Sequence, residues 1–213
     1  MPDSARRTPG RNSVFINCPF DAEYLPVFRA IVFTIVFTVA ACGFRPRCTL
    51  EHNDASQVRI EKIYRLIEQS ALGIHDVSRT EADAENKLPR FNMPLELGLF
   101  LGAKRFGTPS HRRKRCLVLD TERYRFQKFI SDIAGQDIRA HHGNPKEAVT
   151  AVRDWLRNAR NARPLPSGAH LWSDYEKFSA EFPSLCDGAR LSADSLTFTD
   201  FYDLAVGWLK ALR

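Results

Sequence analysis

Two hydrophobic patterns alternate along the chain: short, nearly continuous apolar runs that end in turn residues, and longer stretches with apolar residues every three to four positions. The first pattern predicts buried strands and the second helices. Residues 13–17 read as a first strand, closed by Asn17, Pro19 and Asp21. A helix is expected from about residue 24 to 42, ended by Gly43. Residues 44–50 read as a second strand, and Pro46 inside it assigns that strand to an edge. Asp54 or Ser56 can start a helix carrying Val58, Ile60, Ile63, Leu66 and Ile67 on one face. Residues 71–77 form a third predicted strand with Asp76 at its end, and residues 115–120 a fourth. A short helical piece at 124–130, a fifth strand near 137–140 and a helix over 146–161 follow.

Strands alternating with helices predict an α/β domain, a doubly wound parallel sheet of about five strands with helices on both faces. Residues 1–12 read as a frayed tail, 13–162 as the α/β domain, 163–168 as a linker and 169–213 as a helical extension. That extension should hold helices at 172–182 and 199–212, anchored by Trp172, Tyr175, Phe178, Phe201, Tyr202 and Trp208. It is too small for an independent core, so it should pack on the main domain or form a contact between copies.

The stretch 88–104 organises the rest. Asn92 can cap a helix and Pro94 suits its first turn. Leu95, Leu99, Gly102 and Phe106 would then share one face, with Gly98 and Gly102 allowing close approach to a neighbour. Glu96 is the only acidic residue between Asn92 and Gly107, and a first-turn position would keep it ionised through the helix dipole. Such a glutamate either carries chemistry or only complements the dipole. The long connection over 79–92 is of a kind that is usually functional.

Composition narrows the classes. The 213 residues carry a formal charge of +6, which permits an anionic ligand without requiring one. Five widely spaced cysteines argue against disulfides and a Cys-x-x-Cys metal site, and a reducing cytoplasm is the simplest setting. No secretory signal opens the sequence, and the thirteen-residue apolar run 30–42 is too short to span a bilayer, so it is expected as a buried helix. The basic run Lys104, Arg105, His111, Arg112, Arg113, Lys114 and Arg115 reads as a solvated loop rather than a nucleic-acid interface, having no interleaved aromatics. His111, His141 and His142 lack zinc-ligand spacing, His75 reads as a core histidine, and Cys18 as a packed thiol. Gly-x-Ser-x-Gly, P-loop and Gly-x-Gly-x-x-Gly sequences do not occur, which excludes the usual serine hydrolases, P-loop NTPases and Rossmann dehydrogenases.

In a doubly wound sheet ligands bind beyond the carboxyl ends of the strands. That rule gathers residues 17–21, 76–79 and Glu96. Two carboxylates, Asp76 and Glu96, with Arg79 and Asn92 nearby, suit cleavage of an N-glycosidic bond through a stabilised oxocarbenium ion, with arginines on phosphates.

Phe15-Ile16-Asn17-Cys18-Pro19-Phe20, Ile74-His75-Asp76 and Pro94-Leu95-Glu96-Leu97-Gly98 resemble, in order, motifs of the nucleoside 2-deoxyribosyltransferase and TIR-like superfamily. The resemblance covers residues 13–120. It implies a flavodoxin-like sheet, a catalytic glutamate at Glu96, and reactions at the N-glycosidic bond of nucleosides or NAD, which many bacterial TIR-like proteins consume in antiviral defence. Asn92 stands where TIR domains commonly carry a tryptophan four residues before the glutamate. The expected site is therefore Glu96 and Asp76 as catalytic groups, with Asn17, Phe20, Arg79, Arg90 and Asn92 on the substrate. NAD or another nucleotide is substrate or ligand, with no metal or separate cofactor. Homo-oligomerisation or a regulatory partner is expected through the C-terminal helices, and the alternatives are a non-catalytic nucleotide-sensing or assembly module on the same fold, or a nucleoside deoxyribosyltransferase.

Overall fold

The three longest strands contribute apolar side chains alternately to two faces of one sheet, and the faces are covered by different helices. The computed structural model describes residues 9–19, 25–51, 54–80, 82, 87–89, 91–159 and 164–212, with the side chains of 25–29 excepted. Strands β1 (Gly10–Asn17), β2 (Arg45–Arg47), β3 (Ser70–Asp76), β4 (Arg115–Asp120) and β5 (Arg139–Ala140) lie in the order β2-β1-β3-β4-β5, all parallel. This is the flavodoxin-like order, with the switch in direction between β1 and β3. β1 begins three residues ahead of the predicted strand, and the edge position expected for the strand containing Pro46 is the one observed.

Helix α1 (Leu25–Ala41) carries the apolar run, and from Ile31 to Ala41 it is buried nearly all round. A helix apolar all round needs cover all round. One side meets Val14, Ile16, Leu72 and Ile74 of the sheet and flanks α5 (Pro145–Ala159). The other side is closed by α6 (Gly168–Gly188) and α7 (Phe198–Ala211). Phe37 of α1 packs its ring 5.2 Å from Phe178 and 6.0 Å from Trp208, while Phe33 stacks on Phe201 at 4.0 Å. The Thr34 and Thr38 hydroxyls satisfy themselves on the helix carbonyls of Ile31 and Thr34. Arg153 holds the Leu165 and Pro166 carbonyls at 2.8 and 2.6 Å, so the segment expected as a linker is tied to α5. The C-terminal helices are thus the outer layer of the main core.

The opposite sheet face packs Phe15 against Ile63, Leu66 and Ile67 of α2 (Arg59–Gln69) and Phe100 of α3 (Asn92–Phe106). Here three expectations need correction. Asn92 does not cap α3: Phe91 holds that position and no side chain bonds there. Glu96 therefore lies beyond the first turn, and the inward residues are Glu96, Leu97 and Phe100. Leu95 and Phe106 are 55% and 84% exposed, and a Cβ on Gly98 or Gly102 would meet nothing within 4 Å. The close approach occurs instead at Gly73 of β3, where an added Cβ would stand 2.8 Å from the Phe100 ring and from His75 Nε2. That contact sets which way α3 faces.

The basic run is not one solvated face. After the short helix α4 (Pro109–Arg112), Lys114 turns inward, donating to the Ile67 carbonyl at 2.5 Å and to the Ser70 carbonyl, with its ammonium 5.0 Å from the Phe100 ring centre. It closes the junction between α2 and β3, and burial pushes its pKa down to about 8.

Three outcomes follow. Phe178→Ala should lower stability by about 3–5 kcal/mol in chemical denaturation, and removing residues 169–213 should leave a chain without near-ultraviolet circular dichroism, because α1 loses one whole side. Lys114 is charged in both states below pH 8, where its burial opposes folding; between pH 8 and its ordinary 10.5 the folded chain sheds the proton first. Stability should therefore rise across that window, and the rise should be smaller in Lys114→Met.

Candidate functional site

β1, β3, β4 and β5 end side by side, and each delivers a polar residue to that edge. Asn17 closes β1, Asp76 closes β3, Asp120 closes β4, and His141 follows β5. All four are buried. Asn17 donates through Nδ2 to the Met93 carbonyl at 2.9 Å, which ties the end of β1 to the opening turn of α3, and lies 3.1 Å from His75 Nδ1. Burial pushes the His75 pKa down to about 3, so the imidazole is neutral. With Nδ1 accepting from Asn17, the proton sits on Nε2, toward the edge-on ring of Phe100 at 5.0 Å. His75 is the core histidine its strand position predicts.

Glu96 approaches the same edge from α3 and is 4% exposed. Burial raises its pKa to about 7, against the opposing pull of Arg59. The expectation of a dipole-held, ionised glutamate is thereby overturned: a position past the first turn and loss of solvent outweigh the helix end. Cys18 links it to Asp76. Its thiol is pushed well up by burial first, then by the Asp76 carboxylate, with Cys48 and Glu96 adding to the effect. The packed thiol is therefore as expected, and none of the five cysteines is in a disulfide.

Asp76 accepts from the Ser78 amide at 2.9 Å, and its Oδ1 stands 3.6 Å from His141 Nε2. The Gly143 amide donates to His141 Nδ1 at 3.1 Å, which leaves the ring proton on Nε2, toward Asp76. Asp120 is held by Arg125 at 2.6–2.8 Å and by the Thr121 amide at 2.7 Å; burial nevertheless raises its pKa. Arg125 also reaches the Ser78 carbonyl at 2.5 Å and Thr80 Oγ1 at 3.1 Å, so one guanidinium fastens the exit of β3 to the end of β4.

Five buried polar atoms at this edge, Asn17 Oδ1, Asp76 Oδ2, Ser78 Oγ, Asp120 Oδ2 and His141 Nε2, have no hydrogen-bond partner among the described residues. Buried polar atoms are rarely left so. Elsewhere in the fold the described residues add only Ser70 Oγ and His75 Nε2.

Of the expected site residues, the structure brings Glu96, Asp76 and Asn17 together, with Arg79 buried beside Ser78 on the chain after β3. Asn92 is exposed at the start of α3. Phe20 and Arg90 lie outside the described residues. Asp120, His141 and Arg125 were not expected. Asp120 carries the same signal as Asp76, a carboxylate closing an apolar run; the sequence around His141 speaks only to zinc-ligand spacing, and Arg125 sits in a turn with no local signature. Among the described residues no cluster of histidine, cysteine and carboxylate groups has the geometry to hold a metal ion. No helix among them is long and apolar enough to cross a membrane. Comparison of the chain with protein-family models, curated proteins and solved structures gives no match in any of the three.

A buried carboxyl titrating near neutrality can give up a proton or, once ionised, face a developing positive charge. Its linkage to folding has a definite sign. Glu96 has a folded pKa of about 7 against an ordinary 4.5, so the folded chain holds a proton between those values that the unfolded chain has lost. Stability should fall as pH rises from 4.5 to 7, and Glu96→Gln should flatten that fall in denaturant titrations at several pH values.

Proposed function

We propose that the chain cleaves an N-glycosidic bond of a nucleotide or nucleoside, with NAD the first candidate substrate. The observation that carries this reading is the Glu96 carboxyl, buried and shifted toward neutrality, at the carboxyl ends of β1 and β3. In this reading ionised Glu96 faces the anomeric carbon as the bond to the base breaks and its electron pair leaves with the base. Water, or a second base, then completes the sugar. Asp76 and Asn92 would orient the ribose, Arg79 or Arg90 would contact phosphate, and Asn17 and Phe20 would meet the substrate. The unpartnered polar atoms at the strand ends support a polar ligand there, since a ribose supplies both donors and acceptors. The resemblance of the three motifs to the deoxyribosyltransferase and TIR-like superfamily supports the same chemistry, and with it a role in antiviral defence and a cytoplasmic setting.

A non-catalytic nucleotide-sensing or assembly module is the second reading. It is favoured by apolar side chains left outward around the start of α3, namely Leu88, Phe91 and Leu95. The C-terminal helices, by contrast, commit their aromatic residues to α1 and the core.

Purified protein incubated with NAD and a panel of nucleosides should release free base, detected by chromatography. Glu96→Gln should lower turnover by about 100-fold or more, in the range seen when one electrostatic or acid–base group is lost, and the wild-type rate should show an inflection near pH 7. Saturable binding with no product at any concentration would favour the second reading.

A further inference from the structure

β4 is six residues long, and its neighbour β5 pairs only with Leu119 and Asp120. Among the described residues, no strand lies beside residues 115–117 on that side. Leu119 gives its carbonyl to the Val77 amide on the β3 side, and Asp120 gives its own to the His141 amide on the β5 side, both at 2.9 Å. Peptide groups alternate in direction along a strand. The Cys116 amide and carbonyl and the Val118 amide therefore point toward the β5 side ahead of β5, while the Val118 carbonyl meets the Arg139 amide in the Leu119–Arg139 pairing.

A cleft of about 1010 Å³ occupies that place. Leu101, Lys104 and Arg105 of α3 wall it on one sheet face, Trp155 and Asn158 of α5 on the other, and Cys116 and Val118 form its floor. Among the described residues the uncovered length of β4 is about 10 Å, three residues at roughly 3.3 Å each. An added strand would send alternate side chains under α3 and under α5. The acids of the cleft are already matched, Asp137 to Arg139 at 3.5 Å and Asp154 to Arg153 at 2.9 Å. Lys104, Arg105 and Arg112 have no carboxylate at salt-bridge distance among the described residues.

We propose that this cleft takes an extended acidic segment of a partner protein, which hydrogen-bonds along β4 at the Cys116 amide and carbonyl and the Val118 amide and sets its carboxylates against Lys104, Arg105 and Arg112. Main-chain pairing at an open edge supplies affinity, and the two side-chain walls supply selection. A second copy related by two-fold symmetry fits less well, because it would bring the same three cations toward each other. A free small anion would leave the strand edge unpaired. The cleft lies along the amino-terminal half of β4, away from the strand ends that carry Asp76 and Glu96, and its occupancy is independent of the proposed glycosidase.

The test selects a phage-displayed library of random 12-residue peptides on the full chain, then measures the enriched peptides, synthesised, against the wild type and a Lys104→Glu/Arg105→Glu/Arg112→Glu variant. Enriched sequences should carry acidic residues among apolar ones, bind at least tenfold more weakly to the variant, and slow amide hydrogen exchange at Cys116 and Val118. Cys116 is the one cysteine that is not fully buried, so alkylation of wild-type Cys116 by iodoacetamide should also slow when peptide is bound, a readout that does not depend on the variant folding. The proposal fails if no peptide is enriched, if enriched peptides lack acidic residues or leave Cys116 and Val118 unprotected, or if sedimentation shows that self-association fills the cleft instead.

Discussion

A seventeen-residue helix with no polar side sits between the sheet and the C-terminal helices, and the arrangement of the whole chain answers its need for cover. The sheet and α5 can shield only part of its circumference. The remainder is met by a cluster of aromatic rings from α6 and α7, with Phe178 touching Phe37, Phe182, Phe201 and Trp208. Removing water from that much aromatic surface is among the largest favourable contributions a chain of this size can gather. It also fixes the sheet from behind, so that β1 and β3 present their ends in a set geometry.

The opposite face of the sheet is arranged by smaller means. Gly73 admits the Phe100 ring, Asn17 ties the end of β1 to the first turn of α3, and Lys114 seals the α2–β3 junction on two carbonyls. Together these hold Glu96 inward. Burial of that carboxyl and of Asp76, Asp120 and His141 opposes folding, since several of their polar atoms lack partners. Arg125 offsets part of this by binding Asp120 and the carbonyls after β3. Such strain gathered at one sheet edge, while the other described residues add only Ser70 Oγ and His75 Nε2, is the pattern a ligand site would require.

Strand positions were legible because apolar runs that stop at Asn17, Asp76 and Asp120 are local features. The parallel order followed from alternation with helices, and the edge place of β2 from Pro46. The facing of α3 was not legible: Leu95, Leu97, Leu99, Phe100 and Leu101 put apolar residues on every side, and the choice was made by Gly73, nineteen residues before Asn92 in the sequence. For the same reason Glu96 was found but its charge state was misjudged, since burial depends on the partner surface rather than on the helix itself. Lys114 looked like one of a basic series, and only its distance from the α2 carbonyls separates it from Arg113 and Arg115. Aromatic spacing in the last forty-five residues announced packing without naming α1 as its destination.

The two margins of the sheet differ in kind. β2 is three residues long with a proline at its centre, and Arg47 grips Glu51 through a forked contact at 2.5–2.7 Å just beyond. Proline withholds the amide that another strand would need, so that margin is blunt. Among the described residues the far margin, along β4 and β5, is open. Endless ribbons of stacked copies require both margins to be competent, each molecule accepting on one side and offering on the other. With one side capped, edge-wise growth stops after a single addition, and the fold carries its own protection against fibre formation.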